Sequence, residues 1–173
     1  MNLTDELSKN QITLLVIPSN KYGDTVINNA KELSKKSVCY ITLNKTYMSL
    51  KEIFQKNNVN TKNLLFIDGI CQTIKKVPND INECYFVSSP AALTELSLVI
   101  TKFLKHNFDY LIFDSLTSLI VYSKKGPISK FLSSIINKIR ETNTKAVFYS
   151  LGTKEEPLIK ESSMFVDKIL QLD

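Results

Sequence analysis

Short apolar runs alternate along the chain with segments in which apolar residues recur every three or four positions. The first run, Ile12-Thr13-Leu14-Leu15-Val16-Ile17, is apolar almost throughout, the pattern of a strand buried on both faces of a parallel sheet. Similar runs follow at 38–43, 64–68, 84–87, 110–114, 146–150 and 166–172. Between them lie helical patterns. Residues 24–35 place Val26, Ile27, Ala30 and Leu33 on one face, and Met48, Leu50, Ile53 and Phe54 mark a second helix ending near Asn57-Asn58. Ser89-Pro90 opens a third, because Ser caps free amides and Pro suits a first turn; its stripe is Leu93, Leu96, Val99, Ile100, Phe103 and Leu104. Residues 128–141 form a fourth, and a short helix is expected around 155–163. Residues 70–83 show no period and carry a turn at Pro78-Asn79-Asp80, while 123–127 reads as a polar loop. Strands alternating with helices predict an α/β fold: a three-layer αβα sandwich around a mostly parallel sheet, with a closing strand at the C-terminus. Residues 1–173 read as a single domain without repeat or linker.

Composition narrows the picture modestly. A chain of 173 residues with 43% hydrophobic residues is long enough to bury a substantial core. No apolar run approaches the roughly 20 residues that span a bilayer, so no membrane partner is expected. Residues 1–11 are polar and mixed in charge, unlike a secretory signal, and a cytoplasmic protein is the expectation. Cys39, Cys71 and Cys84 lack C-x-x-C spacing and lie in or beside apolar runs, which predicts buried reduced thiols. His106, the one histidine, precedes Asn107 at a helix end and has no second histidine with which to hold a metal. The net charge of +5 admits nucleic acid as a partner. The lysines are scattered, however, Arg140 is the one arginine, and no basic tail is present.

The candidate chemistry lies after the first strand, at Pro18-Ser19-Asn20-Lys21-Tyr22-Gly23-Asp24-Thr25. A phosphate-binding loop reads Gly, four residues, Gly-Lys-Ser/Thr between a strand and a helix. Here the spacing, Gly23 and Thr25 are kept, while Pro18 replaces the first Gly and Asp24 replaces the Lys. A unit charge pair at about 4 Å and an effective dielectric of about 20 is worth about 4 kcal/mol. An aspartate in place of the lysine turns that attraction into repulsion of a phosphate.

Three further segments complete a resemblance. Cys39-Tyr40-Ile41-Thr42-Leu43-Asn44-Lys45 leads into a helix, residues 108–116 form an apolar run ending in Asp114-Ser115, and residues 164–172 place Asp167 before an apolar stretch. In this order and with the loop, the chain resembles RecA-like P-loop ATPases, and among them the KaiC-like group common in archaea. The resemblance covers most of the chain and implies a RecA-like central sheet. It implies a Walker B role for Asp114, with Ser115 beside it, and an Mg²⁺ site formed by Thr25 and Asp114 if the metal binds. It also implies a catalytic acid after the second strand, where this chain has Asn44 and Lys45, neither of which is a carboxylate base. Asp68, at the end of the next strand, is the nearby carboxylate. Asp24 and Thr25 also read as plain first-turn residues, since an acid there suits the helix dipole. Lys21 could supply positive charge to the loop from another position. Lys124 and Lys125 form a solvated loop or a contact for an acidic partner.

Two parts of an ATPase site are altered together. The expectation is therefore a degenerate, non-catalytic RecA/KaiC-like domain, without catalytic residues or cofactor, acting as a regulatory or scaffold protein through a protein partner or self-association. One alternative is a nucleotide-binding signalling ATPase with a non-standard loop, binding Mg-ATP through Lys21, Thr25 and Asp114. The other is a nucleic-acid-binding module, with steeply salt-dependent binding.

Overall fold

β1 (Ile12–Ile17), β2 (Val38–Thr42) and β6 (Tyr110–Asp114) are buried at every position, and alternation within each strand explains why. Leu14, Cys39, Ile41, Leu111 and Phe113 point into one apolar layer. Leu15, Tyr40, Tyr110 and Ile112 point into the other. Successive side chains of a strand face opposite ways, so a sheet covered on both sides needs apolar residues throughout. In this computed structural model, residues 2–78, 80–152 and 157–173 are described.

Eight strands form one sheet in the order β4-β5-β3-β2-β6-β7-β1-β8. β3 (Leu64–Asp68), β7 (Lys145–Leu151) and β8 (Lys168–Gln171) join β1, β2 and β6 in parallel, and β5 (Cys84–Phe86) runs parallel to β3. β4 (Asp80–Ile81) pairs with β5 antiparallel at one edge. Helices α1 (Leu3–Lys9), α2 (Tyr22–Leu33) and α3 (Tyr47–Lys56) cover one face. On the other lie α5 (Leu93–Leu104), α6 (Leu116–Tyr122), α7 (Lys125–Arg140) and α8 (Pro157–Ser162). A one-turn helix, α4 (Cys71–Ile74), follows β3. The chain leaves β1 through α2 and enters β2 beyond β6 and β7, so a crevice opens at the carboxyl ends of these strands.

Several expected boundaries shift. α2 begins at Tyr22, two residues before the expected start, and ends at Leu33. α5 begins at Leu93 instead of Ser89-Pro90, because Glu95 in its first turn accepts the Ser88 amide at 3.2 Å and the Ser88 hydroxyl, so the upstream turn is tied from inside the helix. The polar loop expected at 123–127 gives way at Lys125, where α7 starts. Gly126 and Pro127 fit its first turn, where amides have no intrahelical partner to lose. Residues 70–83 are less irregular than their pattern, carrying α4 and β4. The closing strand shortens to Lys168–Gln171 and the last helix to Pro157–Ser162. Asn79 of the expected turn and residues 155–156 of the expected helix lie outside the described residues. α1 and α6 were absent from the expectation. α1 is a single amphipathic stretch, capped by Asn2 accepting the Asp5 amide at 3.3 Å and anchored by buried Leu3 and Leu7. α6 follows β6 so closely that its apolar residues read as one run with the strand.

Cys39, Cys71 and Cys84 are buried free thiols, and burial pushes all three thiols up in pKa. His106 is exposed beyond the end of α5, its ring edge-on to Phe103. Among the described residues no helix is long and apolar enough to cross a membrane.

Candidate functional site

Asp114 ends β6 at the crevice and is 1% exposed. An isolated ionised carboxylate at such a depth is costly unless donors satisfy it. Three neutral donors do so. The Tyr40 hydroxyl donates to Oδ2 at 2.6 Å, the Asn44 amide to Oδ1 at 2.7 Å, and the Tyr22 hydroxyl also donates to Oδ1. Burial raises the Asp114 pKa, and the three hydrogen bonds and the nearby Lys45 charge offset only part of that. The two tyrosines respond in kind: burial, then the Asp114 charge, drives both phenols far above their usual range.

Backbone geometry places these donors. Tyr40 lies opposite Ile112 in the β2–β6 register, two positions before the Thr42–Asp114 pair, and its long side chain spans the diagonal. Asn44 follows β2, where the Thr42 hydroxyl donates to the Lys45 carbonyl at 2.6 Å and tightens the turn. Tyr22 is the first residue of α2, and its ring stands edge-on to Tyr149 with centroids 6.4 Å apart. Tyr149, buried in β7, accepts the Asn29 amide at 3.2 Å. The result is a polar network of Tyr22, Asp114, Tyr40 and Asn44 flanked by the Asn29–Tyr149 pair.

The loop before α2 is wound tightly. Residues Ser19–Lys21 form one 3-10 turn, in which the Lys21 amide donates to the Pro18 carbonyl at 3.0 Å and the Tyr22 amide to the Ser19 carbonyl. Those two amides face carbonyls of their own turn. Ser19, Asn20, Lys21, Gly23 and Asp24 are exposed, and Thr25 is half-buried. The Lys21 ammonium donates to the Asp173 carbonyl beside β8. Thr25 contributes none of the three hydrogen bonds to Asp114. Gly23 lies within α2, with nothing within 4 Å of where a Cβ would stand.

Ser115 caps α6, its hydroxyl accepting the Ser118 amide at 3.4 Å. The peptide bond between Asp114 and Ser115 is cis. Asp68 is fully buried and accepts three backbone amides: Tyr47 at 2.7 Å, Ile70 at 2.7 Å and Cys71 at 2.8 Å. Its carboxylate ties the start of α3 and the α4 turn to β3, which is a structural use. At the opposite, amino-end edge, Asp167 accepts the Ile12 amide at 2.9 Å and pairs with Arg140 at 2.8 Å, fixing the approach to β8. Lys125 pairs with Glu161 at 3.1 Å, and Lys124 is exposed.

The crevice thus brings together Tyr22 of the loop, Asn44 and Asp114. Lys21 is turned towards Asp173 instead. Sequence reasoning missed Tyr40, Tyr149 and Asn29. A signal existed: a tyrosine within an all-buried strand needs a partner for its hydroxyl, and Tyr40 stands two positions short of a strand-end acid on its neighbour.

The sequence matches no family model. It matches no curated protein. Among solved structures, the chain is similar to a KaiC-like protein from the hyperthermophilic archaeon Pyrococcus horikoshii OT3. The TM-score is 0.63 at 12% identity, over 94% of this chain and 72% of that one. At this identity the likeness establishes the fold, an α/β sandwich of RecA/KaiC type with a mostly parallel eight-stranded sheet.

Proposed function

We propose that this chain is a single degenerate RecA/KaiC-like domain, a pseudo-ATPase that acts as a regulatory or scaffold protein through protein contacts. The observation that carries the reading is the self-satisfied Asp114. A Walker B carboxylate serves Mg²⁺ by offering free lone pairs towards it. Here both oxygens receive O–H and N–H donors from Tyr22, Tyr40 and Asn44. Donor hydrogens repel a cation, so an Mg-nucleotide does not fit this crevice as it is built.

Three further features support the same reading. Asp24 stands where a phosphate-binding lysine is needed. The loop amides of Lys21 and Tyr22 are spent inside a 3-10 turn, whereas a phosphate cradle presents its amides outward. Asn44 and Lys45 replace a water-activating carboxylate, and Asp68 is bound by three backbone amides.

Thermal unfolding with and without millimolar Mg-ATP, Mg-ADP and Mg-GTP tests the reading. A ligand at 1 mM with a Kd of 100 μM would stabilise the native state by about 1.4 kcal/mol. For a chain of this length that is roughly 3–6 °C in Tm. The expected result is no shift with any nucleotide; a clear rise with one of them overturns the reading.

A further inference from the structure

The surface between α5 and α7 opens into two adjoining cavities of 720 and 380 Å³ that share Leu93, Thr94, Leu98 and Pro127. Together they form one groove on the face opposite α2. Its apolar lining includes Phe131 from α7 and Tyr122 from the end of α6. Leu98 is 65% exposed and Tyr122 48%, large apolar side chains left open to solvent beside a depression.

The charges around the groove are predominantly positive. Lys124 lines one cavity and Lys130 the other, and among the described residues neither has a carboxylate partner. The lining carboxylate, Glu95, is engaged by the Ser88 amide and hydroxyl. Two lysines against that one glutamate leave the lining with a net charge of about +1, of the same sign as the chain's +5. Along α7 the groove runs from Pro127 to Ser134, about 10 Å at the helical rise, or two turns of a docked helix. An apolar channel of that length, with Lys124 and Lys130 outnumbering Glu95 along it, matches a helix that carries apolar anchors at i and i+3 or i+4 and carboxylates placed towards the two lysines.

We propose that this groove docks an acidic amphipathic helix of a protein partner. The proposal rests on the scaffold reading above and gives it a surface and a partner chemistry.

The test uses the full chain as bait for a displayed library of 16-residue helical peptides of varied charge. Net-acidic peptides with paired apolar anchors are expected to be enriched. Their binding should fall at least tenfold against Leu98→Glu and against the Lys124→Glu/Lys130→Glu double variant. Leu98 is exposed, so its variant should unfold with the parent, which the same thermal scan checks. Enrichment of neutral or basic peptides, indifference to both variants, or an absence of binders overturns the proposal. So does a sedimenting dimer that Leu98→Glu dissolves, because a second copy would then cover the groove. Failure here without a nucleotide-induced shift removes the groove and leaves the non-catalytic reading standing; a nucleotide shift removes that reading separately.

Discussion

The Tyr22 hydroxyl donates to Oδ1 of Asp114, so the first residue of α2 closes over the carboxylate that ends β6. This bond joins the two segments that a nucleotide would otherwise bridge. Tyr22→Phe removes the donor and leaves the ring. A hydrogen bond to a charged group contributes about 2 kcal/mol, so Tm should fall by roughly 4–8 °C. Asp114→Ala should fall further, by about 3 kcal/mol, since it also strands the buried Tyr40 hydroxyl, whereas the exposed Asn44 amide can turn to water. Urea unfolding of the two variants checks the order; a Tyr22→Phe protein as stable as the parent would mean that the bond is idle.

Asp24→Lys restores the lysine of a phosphate-binding loop. It should not restore binding, because Tyr22 still holds Asp114 and the loop amides remain inside their turn. Calorimetric titration with Mg-ATP should stay flat. Heat of binding in this variant alone would identify Asp24 as the sole obstacle.

Two glycines should respond in opposite directions to alanine. Gly23 is the second residue of α2 with open space around its missing Cβ, so Gly23→Ala should stabilise by up to about 0.5 kcal/mol, less than the full interior helix propensity difference. At Gly69 a Cβ would stand 2.7 Å from Cδ2 of the buried Leu43, so Gly69→Ala should cost about 1–3 kcal/mol. Equilibrium unfolding measures both. A loss of stability at Gly23 would show that its lack of a side chain is in use.

Arg140 holds the Asp167 carboxyl below its usual pKa: burial pulls it up, but the guanidinium and the Ile12 amide outweigh it. A carboxylate whose pKa is lower in the folded state stabilises the fold above its unfolded value of about 3.9. That contribution is lost as pH falls through the lower folded value. Asp114, with its pKa raised by burial, acts in the opposite sense, its contribution falling as pH rises from about 3.9 towards the folded value. Asp167→Asn should therefore lower stability at neutral pH by about 1 kcal/mol, an amount discounted for partial exposure. It should also flatten the loss of stability below about pH 4. Denaturant midpoints across that range decide it, an unchanged slope counting against the pair.

Much of the fold was legible because its strands are buried on both faces. Ile12–Ile17 and Tyr110–Asp114 carry little but apolar side chains, and nothing else accounts for such runs between amphipathic helices. The helix face Phe131, Leu132, Ile135, Ile136 and Ile139 was equally plain and is buried throughout. Boundaries were less legible where a distant side chain sets them: Glu95 reaches back to Ser88 and delays α5, an arrangement that Ser89-Pro90 conceals. In the candidate site, the altered loop stood out by its spacing, and the family resemblance pointed to Asp114. The donors could not, because Tyr40 looks like one more apolar strand residue until its register with Asp114 is known.

β1 has a further consequence for synthesis. Its two neighbours, β7 and β8, both come from the far end of the chain, and Ile12 and Asp167 lie 155 positions apart. At a translation rate of about 5–20 residues per second, roughly 8–30 s pass between their emergence from the ribosome. For most of that interval a six-residue apolar strand waits without a partner, and such a segment is prone to pair with another nascent copy. The yield of folded protein in a cell should therefore depend on how well residues 12–17 are chaperoned during translation, and slower translation should lower it.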